Sequence, residues 1–162
     1  MRALRHLFDF GSAKRHFPAS TLDAVQHAIA ASEHRHLGEI VFAVEGSLSF
    51  ARVMRDVDPR DRAHEVFAQL RVWNTENNTG VLVYILLADH RIEVVADRGI
   101  VAKVAQQTWV DICALMQRRF SDGAYQQGAL DGVAAIGDLL ALHFPANGAR
   151  NDEELPDRPV IL

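Results

Sequence analysis

The sequence predicts an α/β fold in which a small mixed β-sheet is covered by about four helices. Three apolar stretches rich in β-branched residues, 39–45, 81–87 and 91–97, predict the strands. A helical pattern separates the first two strands, and a right-handed β-α-β crossover would make them parallel. With Asp89 and His90 as a two-residue turn between the last two strands, we expect an antiparallel hairpin there.

Helices are predicted where apolar residues recur every three to four positions. This spacing occurs at 20–36, 58–72, 99–120 and 124–144. Ser20 is expected to begin the first helix, and Asp58 followed by Pro59 gives the second an N-cap and a rigid first turn.

The length of 162 residues suits one hydrophobic core, so we expect one domain at 18–144 with a segment on either side. The N-terminal segment 1–17 mixes basic and apolar residues. It is expected either to pack on the domain or to contact an anionic membrane weakly. The tail 145–162 contains three prolines and several acidic residues and is expected to be extended.

Composition argues against several classes of protein. A net charge of −4 lacks the positive balance that nucleic-acid binding requires, so no nucleic-acid partner is expected. The single cysteine, Cys113, rules out an internal disulfide and a cysteine-rich zinc site. The longest apolar run, 81–88, is too short for a transmembrane segment, and no signal peptide is evident. We therefore expect a cytoplasmic location.

Three stretches together resemble the TPM domain family. They are the Asn/Gly-rich loop that enters a strand at 77–82, the hairpin leading into 92–94, and the sequence FSDGAYQQG at 120–128. The family is best known as the water-soluble part of bacterial and chloroplast membrane-associated proteins. The resemblance implies a binding module that acts with a protein partner in an envelope-associated process. It also implies an alternative, because a chloroplast relative has been assigned acid phosphatase activity.

A candidate metal site follows from the expected hairpin register. A two-residue turn would place Asp97 opposite Leu82, at the end of the sheet where loop 74–80 enters. Together with loop carbonyls, the side chains gathered there would offer the oxygen ligands that Ca²⁺ prefers. These residues are Glu76, Asn77, Asn78 and Asp97. The alternatives are an anion at the following helix N-terminus, or a loop that only turns the chain with Asp97 as an N-cap.

Catalysis has weaker support in the sequence than binding. Asp97 and Arg98 would supply a carboxylate and a phosphate-binding cation for the phosphatase alternative. The sequence contains no P-loop, no paired-aspartate motif and no nucleophile with an evident base. We therefore expect a non-catalytic, calcium-assisted binding module that needs no organic cofactor.

Two further groups of polar residues offer weaker alternatives. Glu45 and Asp89 are expected at the opposite edge of the sheet from Asp97, where they form an alternative acidic site. His34 and His36 lie two positions apart beside Glu33, a spacing that points helical side chains away from each other. Both histidines are expected at the surface.

Overall fold

The structure, a computed structural model, describes residues 2–8, 11–148 and 154–162 and confirms the mixed α/β fold. In chain order the helices and strands are α1 (Arg2–Phe8), α2 (Ser12–His16), α3 (Ala19–Glu33), β1 (Glu39–Glu45), α4 (Phe50–Met54), α5 (Pro59–Gln69), β2 (Gly80–Leu86), β3 (Arg91–Ala96), α6 (Arg98–Val101), α7 (Gln106–Ser121), α8 (Tyr125–His143) and β4 (Val160–Ile161).

The four strands form one sheet in the order β3-β2-β1-β4. β1 and β2 are parallel, as predicted, with Glu39 opposite Gly80, and β3 is antiparallel to β2. Every residue of β1 and β2 is buried because both faces of the sheet are covered. One face packs mainly on α3, α7 and α8, while the other packs mainly on α4 and α5.

The predicted two-residue hairpin turn is wrong. Leu86 pairs with Arg91, so four residues, 87–90, join β2 to β3. The N–H groups of Leu87 and Ala88 donate to the carbonyls of Glu45 and Gly46, both at 3.0 Å, and keep the chain beside β1 for two more residues. The register therefore moves by two residues, which leaves every side chain on its predicted face.

The helix boundaries differ from prediction at three places. α3 begins after Pro18 without a side-chain cap, so Ser20 does not cap it, and the helix ends at Glu33. The segment predicted as one helix at 99–120 is divided into α6 and α7 by residues 102–105, where Val104 is buried in the core. The cap at Asp58 is confirmed, because its Oδ1 accepts the N–H of Arg60 at 2.7 Å.

Both terminal segments pack against the sheet-bearing core. The described part of 1–17 forms α1 and α2, and the buried ring of Phe17 lies 6.1 Å from that of Phe42. The tail, expected to be extended, ends in β4, which pairs in parallel with β1 at the sheet edge. Residues 149–153 of that tail lie outside the described part. Within the described ranges, no helix is long and apolar enough to cross a bilayer.

Candidate functional site

Loop 74–80 meets the start of α6, as the sequence predicts, although the register differs. The N–H of Asp97 donates to the carbonyl of Gly80 at 2.9 Å, and the N–H of Gly99 donates to the carbonyl of Asn78 at 3.0 Å. The Nε–H of Arg98 donates to the Asn78 side-chain oxygen at 3.0 Å. Main-chain and side-chain hydrogen bonds therefore hold the loop against Asp97 and its neighbours.

Gly99 allows this close approach. A Cβ at this position would lie 2.6 Å from the Asn78 carbonyl oxygen and 2.7 Å from that of Asn77. Such distances exclude a side chain, so both carbonyls are held against the first turn of α6. Asn78 itself has a left-handed backbone, with φ of 54°. Asparagine tolerates this conformation better than most residues, which explains part of the Asn-rich sequence.

The Asp97 carboxylate has two different environments. Its Oδ1 accepts the N–H of Arg98 at 2.7 Å and caps α6. This agrees with the alternative prediction that Asp97 is an N-cap. Its Oδ2 is buried and has no hydrogen-bond partner among the described residues. Buried carboxylate oxygens are rarely left in this state, because each needs a donor or a cation to offset its lost hydration.

Within the described residues, the structure shows no hydrogen bond between the Glu76 side chain and Asn77, Asn78 or Asp97. Its side chain is exposed, and its backbone N–H donates to the Glu154 carboxylate at 2.8 Å, which ties the loop to the tail. Thr79 is buried and donates its hydroxyl to the carbonyl of Leu37 at 2.9 Å. Thr79 therefore has a structural role in fixing the loop.

The composition of the group limits its chemistry. Within the described ranges, no cluster of three or more His, Cys, Asp or Glu side chains is arranged to hold a metal ion. A cation here would depend on one carboxylate together with amide and carbonyl oxygens. Such ligands suit a hard cation and are poor ligands for zinc or copper.

Comparison with known proteins agrees with this arrangement of loop, hairpin and helices. A family model described as the TPM domain matches residues 14–139, which is most of the chain. The chain belongs to the TPM domain family. The protein is also similar to the BA42 protein of the psychrophilic bacterium Bizionia argentinensis, whose NMR structure matches with a TM-score of 0.78. That match has 30% sequence identity and covers 89% of this chain and 94% of the other. Comparison with curated proteins found no significant match.

In this TPM domain, Glu45 and Asp89 do not form an open acidic site, because each already has cationic partners. Asp89 accepts hydrogen bonds from Arg2, at 2.8 Å from its Nη2, and lies 3.0 Å from His6 Nε2. Burial acts to raise the pKa of Asp89, but these hydrogen bonds hold it below its ordinary value. The Asp89 half of the alternative site is therefore occupied by the N-terminal helix.

Glu45 belongs to a buried network that the sequence did not reveal. Arg62 donates from Nε and Nη2 to the two carboxylate oxygens at 2.9 and 3.2 Å, and the Tyr84 hydroxyl donates at 2.6 Å. Burial and the negative charge of Glu45 raise the pKa of Tyr84, so the hydroxyl stays protonated and donates. A tyrosine in the middle of an apolar strand was the available signal, because its hydroxyl needs a partner when buried.

A second acidic cluster lies beneath the tail and was also missed. Glu33 accepts the N–H of Ile40 at 3.0 Å, while Glu39 accepts that of Leu155 at 3.4 Å. Asp157 contributes a third carboxyl, whose negative charge acts on Glu33. Burial, and then the neighbouring carboxylates, raises the pKa of Glu33, and burial raises that of Glu39 to about 7. The cluster therefore retains protons at pH values where carboxyls are ordinarily ionised.

The prediction that both histidines beside Glu33 lie at the surface is half wrong. His34 is exposed, but His36 is fully buried and its Nε2 lies 3.0 Å from the Ser32 hydroxyl oxygen. Its Nδ1 lies 3.0 Å from the carbonyl oxygen of Gly38. Burial lowers the pKa of His36 to about 4, so the ring is neutral at pH 7. The helix ends before His36, so its helical spacing from His34 does not apply.

Proposed function

We propose that this TPM domain is a non-catalytic binding module that takes up a calcium ion between loop 74–80 and Asp97. The observation that supports this most is the buried Oδ2 of Asp97, which lacks a hydrogen-bond partner within the described residues. The carbonyls of Asn77 and Asn78 lie beside the same helix start. Calcium takes six to eight oxygen ligands and accepts carbonyls, amides and water among them.

The anion alternative has less support at this position. The Asp97 carboxylate already occupies the N-terminus of α6, where its Oδ1 accepts the N–H of Arg98. An incoming anion would meet that negative charge at a helix of only four residues, which offers little dipole to offset it. A cation, in contrast, would be attracted to the carboxylate and to the two carbonyl dipoles.

Calcium would help this module bind a protein partner by fixing the loop. Residues 74–80 join the α5 side of the sheet to β2 and are held by the tail through Glu154. A bound cation would order the exposed Glu76 and Asn77 and thereby reduce the entropy lost on binding a partner. Action in an envelope-associated process is the context that membership of the TPM family suggests.

Calcium titration followed by NMR tests the site directly. We expect the amides of 74–80 and 97–101 to shift, with a dissociation constant on the order of millimolar, because the site offers few charged ligands. Asp97→Asn should weaken binding roughly tenfold or more, since it removes the only carboxylate while an asparagine still caps α6.

The matched control is Asp122→Asn, which changes an exposed carboxylate that follows α7, far along the chain from the loop. That variant should bind calcium like the unmodified protein. Amides of the loop that stay unmoved by calcium would disprove the site. Equal weakening in both variants would show that only net charge matters.

Phosphoester hydrolysis is the alternative function, and it makes an opposite prediction. Asp97 Oδ1 is engaged in capping α6 and Arg98 Nε in holding the loop, which favours a structural role for the pair. We therefore expect p-nitrophenyl phosphate turnover by Asp97→Ala to equal that of the unmodified protein, with Ca²⁺ or Mg²⁺ present. Measurable turnover that Asp97→Ala abolishes would replace the binding proposal with a phosphatase.

A further inference from the structure

The first and fourth helices together carry an exposed apolar surface. Leu4 and Leu7 on α1 are 56% and 45% exposed, and Phe50 and Met54 on α4 are 59% and 65% exposed. Each pair is separated by three or four residues and so lies on one side of its helix. α1 packs against α4. We call these four side chains the apolar face.

The apolar face borders an open cavity. A space of about 380 Å³ lies between the two helices, and Leu7 and Phe50 both line it. Ala3, Leu48 and Val53 add further apolar lining, while His6 and Glu45 contribute polar groups. Because this space lacks packed neighbours, the side chains around it gain less from dispersion than core residues do. Contact with another apolar phase would recover that energy.

The N-terminal side of this face is positive, unlike the chain as a whole. Residues 1–17 contain four basic residues and one acidic residue, a net charge of +3, whereas the chain as a whole carries −4. Arg5 on α1 and Arg55 directly after α4 are exposed, and within the described residues neither forms an ion pair. The apolar face thus has two exposed arginines at its side that no ion pair within the described residues engages.

The orientation of α1 is fixed by its inner side. Arg2 donates to the Asp89 carboxylate and to the Val57 carbonyl, the latter at 2.7 Å. His6 accepts the N–H of Leu48 on Nδ1 at 2.9 Å, so its Nε2 carries the proton that faces Asp89. These bonds hold α1 with Leu4 and Leu7 outward before any partner is met.

We propose that this face binds an anionic lipid surface, with the four apolar side chains in the headgroup region and Arg5 and Arg55 on lipid phosphates. The combination of exposed apolar groups and unpaired arginines is what such a surface selects. A second open apolar face, beside the exposed Leu142 between α7 and α8, instead has Asp111 and Asp138 at its margin. Asp138 is paired with Arg35, but Asp111 forms no ion pair within the described residues. Anionic lipid would be repelled by Asp111, so the charge distinguishes the two faces. The proposal is independent of the calcium site.

Co-sedimentation with vesicles tests the proposal. The full chain should sediment with vesicles of equal parts phosphatidylcholine and phosphatidylglycerol, and remain in the supernatant with phosphatidylcholine alone. Replacing both arginines, Arg5→Gln with Arg55→Gln, should reduce partitioning roughly thirtyfold. Each basic side chain near an anionic surface raises the partition coefficient roughly fivefold, and the two factors multiply. Phe50→Ser with Met54→Ser should reduce it by a similar factor through the lost apolar contact. Added salt should weaken binding of the unmodified chain.

Matched controls use the opposite side of the molecule. Arg118→Gln removes an exposed arginine on α7, and Leu142→Ser removes the exposed leucine on α8, and both variants should bind vesicles normally. Circular dichroism should be unchanged in every variant, since all the sites are exposed. Full-length protein that stays in the supernatant with anionic vesicles would overturn the proposal. So would a dimer that Phe50→Ser dissociates without any vesicle binding, because the face would then bind a second copy.

Discussion

Replacing Arg62 with alanine is expected to destabilise the domain by about 3–5 kcal/mol, a large fraction of the stability of an ordinary domain. Arg62 is 7% exposed, and both of its bonds to Glu45 are buried. Its removal leaves the Glu45 carboxylate buried beside Tyr84 with no cation to offset the lost hydration. Urea unfolding at pH 7, followed by circular dichroism, measures the difference.

The matched control for Arg62 is Arg52→Ala. Arg52 is also an arginine paired with a glutamate, Glu65, but this pair is partly exposed. Exposed pairs of this kind contribute up to about 1 kcal/mol, so the control should lose little. A double variant, Arg62→Ala with Glu45→Gln, should recover part of the loss because no buried charge then remains unpaired. Equal losses in the two single variants would contradict a buried charge pair.

The fold was predictable because local pattern and topology agree in it. Within the first two strands, residues 40–44 and 81–86 are continuous runs of aliphatic and aromatic residues, which are typical of strands buried on both faces. The crossover between them had one favoured handedness. What failed were the boundaries that depend on contacts distant in sequence. The hairpin loop is longer than expected because Leu87 and Ala88 remain bonded to β1, a contact that local turn chemistry does not contain.

The meeting of Asp97 with loop 74–80 was predictable for a similar reason, even though the predicted register was wrong. A displacement of two residues keeps each side chain on its face, so Asp97 still meets loop 74–80. Glu76 shows the limit of this argument. A position in the right loop does not fix the direction of a long side chain, and the structure leaves that of Glu76 exposed.

The buried polar groups were the least predictable part. Glu39 and Glu45 look like the polar ends of a strand that should reach water. The tail instead covers Glu39, and Arg62 from α5 covers Glu45. Both of these contacts join residues that are far apart in the sequence. Composition and periodicity report one segment at a time and therefore cannot reveal which segments meet.

Glu39 gives the second large prediction, an unusual loss of stability as the pH rises. Its carboxyl is 1% exposed, one of its oxygens has no partner among the described residues, and burial raises its pKa to about 7 from an ordinary 4.5. Between these values the folded state holds a proton that the unfolded state has released. The free energy of unfolding should therefore fall as the pH rises through this window, by an amount on the order of 3 kcal/mol.

Other groups modify this profile in known directions. The raised pKa of Glu33 adds to the same loss and extends it to higher pH. His36 has the opposite effect, because burial lowers its pKa to about 4 from an ordinary 6.5. Between these values the unfolded state binds a proton that the folded state does not, so this residue makes the free energy of unfolding rise with pH. Above pH 6.5 the histidine is neutral in both states and no longer changes the free energy of unfolding. The lowered pKa values of Asp89 and Asp131 cost stability only on acidification through their ordinary range.

Glu39→Gln separates this effect from the rest, because glutamine keeps the acceptor for Leu155 but does not ionise. We expect the variant to exceed the unmodified protein by less than about 1 kcal/mol near pH 5 and by on the order of 3 kcal/mol at pH 8. Glu65→Gln, at a carboxyl whose pKa is lowered, serves as the control and should gain nothing at pH 8.

Urea unfolding at the two pH values measures these changes, and hydrogen exchange locates them. The tail is joined to the acidic cluster through Leu155 and Asp157, so repulsion between ionised carboxylates is relieved if the tail lifts from β1. The N–H of Leu162, which donates to the carbonyl of Val44 at 2.9 Å, should therefore exchange faster at pH 8 than base catalysis alone explains. Glu39→Gln should remove that excess. An unmodified protein as stable at pH 8 as at pH 5 would show that the cluster ionises without penalty.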